Sequence, residues 1–286
     1  MRRRIIFGVV SGLGFILAVA ALGLWFLHRE MDGMHATGDV FLASHPDASS
    51  VRAEVFAVSA GPQNASATFF LVHGSPGDWR DFGAYFADEE LTAQVRIVAP
   101  DRPGYGQSPT GAIPPSLPDQ AARLAAWAES IPGKHYWLGH SFGASIVARL
   151  AMDRPDLTDG IILLAGAMDA RWEKPRWFHA AANTGLARRL LPQTILQANA
   201  EALAYHVDLA AMEPDWKRIR CPVVIIHARN DSLADFRHVA FTQERLPSDS
   251  LQVIALEDGD HFLPWNRKPV VVEAIRRMAS QSAGTN

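Results

Sequence analysis

The sequence predicts an α/β fold, with a mostly parallel central sheet covered by helices on both faces. Short apolar runs alternate with longer amphipathic stretches along most of the chain, the pattern of strands and helices taken in turn. The runs are near-continuous in hydrophobic residues, as expected of strands buried on both faces of a parallel sheet. After the first 28 residues, no Ser/Gly-rich linker, charge run or internal repeat divides the 286-residue chain. One domain is therefore expected over residues 29–286.

The first element stands apart from that domain. Arg2-Arg3-Arg4 precede Ile5 to Leu27, a run of 23 residues without a charge, and a helix needs about 20 apolar residues to cross a bilayer core. Residues 1–28 are expected to be a transmembrane helix serving as a membrane anchor. Ala18-Val19-Ala20 resembles a signal-cleavage site, so secretion after cleavage is the alternative, although the apolar run continues for seven residues beyond it. Arginines before the span favour a cytoplasmic N-terminus. The domain would then lie outside the cytoplasm, periplasmic or extracellular.

Seven strands are predicted: Glu54–Val58, Thr68–Val72, Val95–Ala99, His135–Leu138, Gly160–Leu164, Val223–His227 and Leu251–Leu256. Asp119 is placed to cap a helix with Leu124, Trp127, Ala128 and Ile131 on one face, and Val271, Ala274, Ile275 and Met278 mark the apolar face of a C-terminal helix. In such a fold, ligands meet the carboxyl ends of the strands. The composition, 48% hydrophobic and 20% charged, suits a sizeable core. A net charge of −3 gives no basic footprint for nucleic acid. The single cysteine, Cys221, leaves no intrachain disulfide or multi-Cys metal site.

The stretch YWLGHSFGAS, Tyr136 to Ser145, carries the chemistry. A Gly-x-Ser-x-Gly pattern alone is common in turns, but here Ser141 stands where a strand ends and a helix begins, the context of a nucleophile elbow. So tight a turn strains the serine backbone and leaves no room for side chains two residues away. Gly139 and Gly143 remove them. Ala144 and Ser145 keep the first helical turn small, and the helix N-terminus favours negative charge developing beside Ser141.

Three further segments occur in order: FFLVHGSPGDW, APDRPGYGQS and DGDHF. With the elbow, they make the domain resemble the α/β-hydrolase family, in its His-Gly-x-Pro-Gly loop after the third strand, its loop after the fourth, and its late histidine motif. The resemblance implies an oxyanion hole formed by the backbone N–H groups of Ser75 and Phe142. Related loops carry a cis peptide at the position of Pro76, and His73 is read as structural. The APDRPGYGQS loop is scaffolding, with Asp101 and Arg102 placed to pair or Arg102 solvated.

A serine hydroxyl needs a base and an orienting acid. Among eleven histidines, the resemblance assigns the base to His261. His140 lies beside the nucleophile with its side chain expected to point away, His227 reads as a core histidine, and His179, His206 and His238 read as surface or lid residues. In the family pattern the acid is Asp231, after the strand and loop PVVIIHARN. Asp169, Asp235, Asp258 and Asp260 are the alternatives. Serine rather than aspartate at the elbow implies an acyl-enzyme and requires no metal or cofactor, and the acidic EDGDH stretch has no second cluster with which to bind a metal.

Residues 168–216, inserted between two strands, are expected to form a helical lid, with Trp172, Trp177, Phe178 and Trp216 either lining an apolar acyl pocket or simply packing. The expected protein is a membrane-anchored serine hydrolase acting on a small-molecule carboxylic ester, with an apolar acyl group as the suggested substrate feature. Peptide or carbon–carbon bond cleavage by the same fold is an alternative, and a non-catalytic binding protein is the rival from another class.

Overall fold

The computed structural model describes residues 35–283, apart from 53, 110–115, 176 and 186. In chain order its first elements are α1 (35–44), β1 (Ser49–Arg52), β2 (Val55–Ala60), β3 (Ala67–Val72), α2 (Gly83–Phe86), α3 (Glu89–Thr92) and β4 (Arg96–Pro100). Then come α4 (Leu117–Ala128), β5 (Lys134–His140), α5 (Phe142–Asp153), β6 (Gly160–Leu164), α6 (Trp177–Ala182), α7 (Ala187–Leu190) and α8 (Gln193–Met212). The chain closes with β7 (Val223–Ala228), α9 (Arg237–Gln243), β8 (Leu251–Leu256), α10 (Leu263–Asn266) and α11 (Lys268–Ala283).

The strands form one sheet in the order β1-β2-β4-β3-β5-β6-β7-β8. From β4 through β3 to β8 neighbouring strands pair parallel, while β2 pairs antiparallel with both β1 and β4. Each of the seven predicted apolar runs overlaps a strand. Strand β1 was not foreseen, because Ser49-Ser50-Val51-Arg52 has no apolar run and lies on an exposed edge where none is needed.

Successive residues of a strand face opposite sides of the sheet, and each side here has its own core. Phe70, Val72, Trp137, Ile161 and Leu163 pack with α4, α5 and α9. Phe69, Leu71, Tyr136, Leu138, Ile162 and Leu164 pack with α2, α3, α10 and α11. Register between β3 and β5 sets Phe70 opposite Trp137 and Phe69 opposite Tyr136, stacked at ring separations of 4.3 and 4.9 Å on the two faces. Pairs of this kind each contribute about 0.5–1.5 kcal/mol beyond the area they bury. They lock the strands on either side of the sheet's centre, where β5 leads into the serine turn.

Two local expectations need correction. The cap of α4 is Ser116, with Asp119 as the reciprocating third helical residue of a capping box, and Ile131 lies beyond the helix. The Ser116 hydroxyl accepts from the N–H of Asp119 and the Asp119 carboxylate accepts from the N–H of Ser116, so the helix starts one turn earlier than a cap at Asp119 would set it.

The predicted N-terminal transmembrane helix is also corrected. Among the described residues, no helix is long and apolar enough to cross a membrane. The longest, α8, runs for 20 residues but carries Gln193, Gln197, Glu201, His206 and Asp208 along its length, groups that are costly in hydrocarbon. The stretch Ile5 to Leu27, on which the anchor rested, lies outside the described residues. Among the described residues the fold is a mostly parallel α/β sheet with no helix able to cross a membrane, and the single-pass anchor and a domain outside the cytoplasm are not supported.

Candidate active site

Ser141 joins β5 to α5 with φ 54° and ψ −121°, a left-handed conformation that strains any residue with a side chain. Its N–H donates to the carbonyl of Leu164 at 2.9 Å, tying the turn to β6. A Cβ on Gly139 would fall 2.3 Å from the carbonyl oxygen of Gly143, and one on Gly143 would fall 2.3 Å from that of Val72. Both glycines are therefore required by close backbone approach. Phe142 begins α5, and the first N–H groups of a helix have no acceptor within it.

The loops after β5, β7 and β8 bring three predicted residues together. The Ser141 hydroxyl donates to Nε2 of His261 at 2.9 Å, and Nδ1–H of His261 donates to Oδ2 of Asp231 at 2.8 Å. The second carboxylate oxygen of Asp231 accepts from the N–H groups of Leu233 and Ala234, each at 2.8 Å. Burial alone would raise the pKa of Asp231, but the His261 hydrogen bond and charge, with those two amides, hold it below its usual value. The carboxylate stays ionised, and its position keeps the His261 proton on Nδ1, which leaves Nε2 free to accept.

The alternative acids are engaged elsewhere. Asp169 pairs with Arg171, Asp235 with Arg237 and Asp258 with Arg267, while Asp260 accepts from the N–H of Phe262 and from Asn266. His227 is the core histidine expected, donating to the carbonyl of Ala234 at 2.8 Å. His179 meets Asn199 in the insertion. His238 departs from expectation: it is buried, and its Nδ1 accepts from the N–H groups of Met168 and Asp169. His140 points away from Ser141 but donates to the backbone carbonyl of His261 at 2.9 Å. Burial, then the nearby His261, push its pKa down to about 3.

The loop after β3 lies against the nucleophile, since a Cβ on Gly74 would sit 3.2 Å from Cβ of Ser141. The Ser75–Pro76 peptide is cis. His73 is fully buried, donating from Nδ1 to the Gly74 carbonyl and accepting at Nε2 from the N–H of Arg102, both at 2.9 Å. Burial and the Arg102 charge hold its pKa well below the ordinary value, as suits a neutral structural ring.

Asp101 and Arg102 do not pair. Asp101 accepts from the N–H groups of Trp79 and Gln107, whereas Arg102 is fully buried and faces the insertion, where it meets Glu201 of α8 at 2.8 Å. Sequence reasoning missed Glu201, Gln120 and Tyr105 around it. The available signal was an amide and a carboxylate, Gln197 and Glu201, at a four-residue spacing ahead of Tyr205 on one face of the helix.

The insertion between β6 and β7 contributes α6, α7 and α8. Of its aromatic residues, Trp216 packs in the core on Phe241, Trp172 lies beneath Arg237, and Trp177 and Phe178 are exposed. The ring that reaches the elbow is Tyr205, 4.6 Å from that of Phe142. Its hydroxyl and that of Ser145 lie 2.6 Å apart. Among the described residues, no group of three or more His, Cys, Asp or Glu side chains is arranged to hold a metal ion.

A protein-family profile described as "Alpha/beta hydrolase family" matches residues 69–274. Among solved structures, a monoacylglycerol lipase from Paleococcus ferrophilus superposes with a TM-score of 0.62 at 19% identity, covering 79% of this chain and 98% of that one. A bacterial membrane phospholipase A, a virulence factor, gives 0.63 at 20% identity and covers both chains fully. The epoxide hydrolase CorEH gives 0.65 at 18% identity, covering 79% of this chain and 95% of that one. At these identities the likeness is one of fold. Among curated proteins, no sequence matches.

Proposed function

The chain belongs to the alpha/beta hydrolase family, and from that premise we propose that it is a serine hydrolase cleaving a small-molecule carboxylic ester through an acyl-enzyme on Ser141. The observation that carries the reading is the unbroken hydrogen-bond chain from the Ser141 hydroxyl through both nitrogens of His261 to the buried carboxylate of Asp231. Serine at the elbow separates this chemistry from that of an aspartate nucleophile.

In the proposed cycle, Ser141 Oγ attacks the ester carbonyl carbon as its proton passes to Nε2 of His261. The carbonyl oxygen becomes an oxyanion held by the backbone N–H groups of Ser75 and Phe142, donors preorganised by the loop and the helix start. The carbon–oxygen bond to the leaving group then breaks, and His261 returns its proton to the departing alcohol. Water, deprotonated by His261, attacks the acyl-enzyme, and collapse releases the carboxylic acid and restores Ser141. Asp231 stabilises the imidazolium in both halves. Residues 168–216 act as a cap over the site, with Tyr205 its contact to the elbow.

The test is labelling of the full chain with a fluorophosphonate, followed by mass spectrometry of the adduct. An adduct on Ser141 that disappears in His261→Ala is expected, together with turnover of p-nitrophenyl esters that is lost in Ser141→Ala. Folded protein that stays unlabelled would overturn the reading in favour of a non-catalytic binding protein.

A further inference from the structure

A helix laid on a domain ordinarily turns an apolar stripe inward, but the buried face of α8 presents Gln197, Glu201 and Tyr205 at four-residue intervals. Glu201 is the hub. Its Oε1 accepts from Nη1 of Arg102 and Nε2 of Gln120, both at 2.8 Å. Its Oε2 accepts from the hydroxyl of Tyr105 at 2.8 Å, from Nη2 of Arg102 at 3.3 Å and from the hydroxyl of Ser75 at 2.5 Å. The Arg102 and Glu201 side chains are 0% and 1% exposed.

A buried ion pair is weak evidence for stability, because well-packed apolar residues of similar volume often hold two elements together as well or better. What apolar residues could not do is grip a peptide group. Nη2 of Arg102 donates to the Gly74 carbonyl at 2.7 Å, and Nδ1–H of His73 donates to the same oxygen at 2.9 Å. That carbonyl and the N–H of Ser75 belong to one peptide unit, which is planar, so that in its trans form the two groups point in opposite directions. Pinning the Gly74 oxygen therefore aims the Ser75 N–H, and Glu201 grips the same residue again through its hydroxyl.

We infer that Arg102 and Glu201 are positioning residues for the oxyanion hole: Glu201, carried in by the insertion helix, holds Arg102 against the Gly74 carbonyl and so orients the Ser75 amide. The inference rests on the serine-hydrolase reading above. It makes the insertion part of the catalytic apparatus, because the amide is correctly aimed only with α8 seated.

The test uses the double variant Arg102→Met/Glu201→Met, which replaces both charges with apolar side chains of similar length, so that neither is left buried alone. Wild type and variant are compared in three ways: p-nitrophenyl butyrate turnover, the rate of Ser141 phosphonylation, and affinity for an aryl trifluoromethyl ketone whose adduct carries an oxyanion. The expected result is a melting temperature close to that of wild type, with kcat and ketone affinity falling together by roughly ten- to a hundredfold and KM unchanged within about twofold. A merely structural role would not produce that split.

A folded double variant with wild-type kcat and ketone affinity would overturn the inference. If the double variant does not fold, Arg102→Lys takes its place, since it keeps a cation beside Glu201 and removes the Nη2 donor that holds the Gly74 carbonyl. A severalfold loss of kcat at constant KM is then expected, and no loss would overturn the inference. Ser141→Ala is run beside both. Turnover surviving in Ser141→Ala, or wild type inert to every probe, sinks the hydrolase reading and this inference with it. An inactive Ser141→Ala beside a fully active Arg102→Met/Glu201→Met sinks the positioning role alone.

Discussion

Replacing Gly143 by alanine would test the packing that lets a serine stand at the β5–α5 turn. The added Cβ would fall 2.3 Å from the carbonyl oxygen of Val72 and 2.5 Å from that of His73, whereas carbon and carbonyl oxygen approach no closer than about 3.3 Å in ordinary contacts. The end of β3 and the start of α5 must therefore separate by roughly 1 Å. Both neighbours are main-chain atoms, so no side chain can swing aside. Overpacking of this kind costs about 1–3 kcal/mol, which in a domain of this size lowers Tm by roughly 2–12 °C. Activity should suffer more, because the shift opens between Ser141 and the loop that carries Ser75, and a 1 Å misplacement of reacting groups costs on the order of 10²-fold. The assay is p-nitrophenyl ester turnover beside thermal unfolding. Gly185→Ala serves as the control, since a Cβ there meets nothing within 4 Å. A Gly143→Ala protein with wild-type kcat and Tm would refute the close-approach argument.

Asp231→Asn should lower kcat by about 10⁴-fold with little change in Tm, since an amide donor facing Nδ1 of His261 imposes the wrong tautomer; steady-state kinetics beside thermal unfolding checks it, and retained turnover would move the acid elsewhere. His140→Gln should destabilise the protein less at pH 5 than at pH 7. The unfolded chain binds a proton at His140 from about pH 6.5 downward, while the folded one refuses it until about pH 3, so wild type loses stability as pH falls and the variant does not. The gap between them should narrow by about 2 kcal/mol from pH 7 to 5, read from urea unfolding, and a constant gap would count against the depressed pKa.

The strands were legible because a doubly buried strand must be apolar at nearly every position, as Gly160–Leu164 and Val223–Ala228 are. The predicted runs missed β1, whose edge position imposes no such demand. At the site, the serine turn could be read because its constraints are local: two glycines and small residues within a few positions of Ser141. The choice among acids was less legible, since Asp231, Asp169 and Asp235 all follow strands or open helices, and only their partners distinguish them. Asp169 and Asp235 are held by the arginines two residues on, which leaves Asp231 to meet His261.

By itself, the sequence determined the α/β class and the strand–serine–helix turn, because each depends on residues near one another in the chain. Tertiary structure alone decided the setting of Arg102 and Glu201, 99 positions apart and fully interior. Read linearly, an arginine in a loop and a glutamate in a helix suggest solvated surface, since a charge is expected in water until its partner is known. Trp216 shows the converse: it reads as a lid aromatic but packs in the core on Phe241. Burial depends on which surfaces the fold brings together, and that is a property of the whole chain.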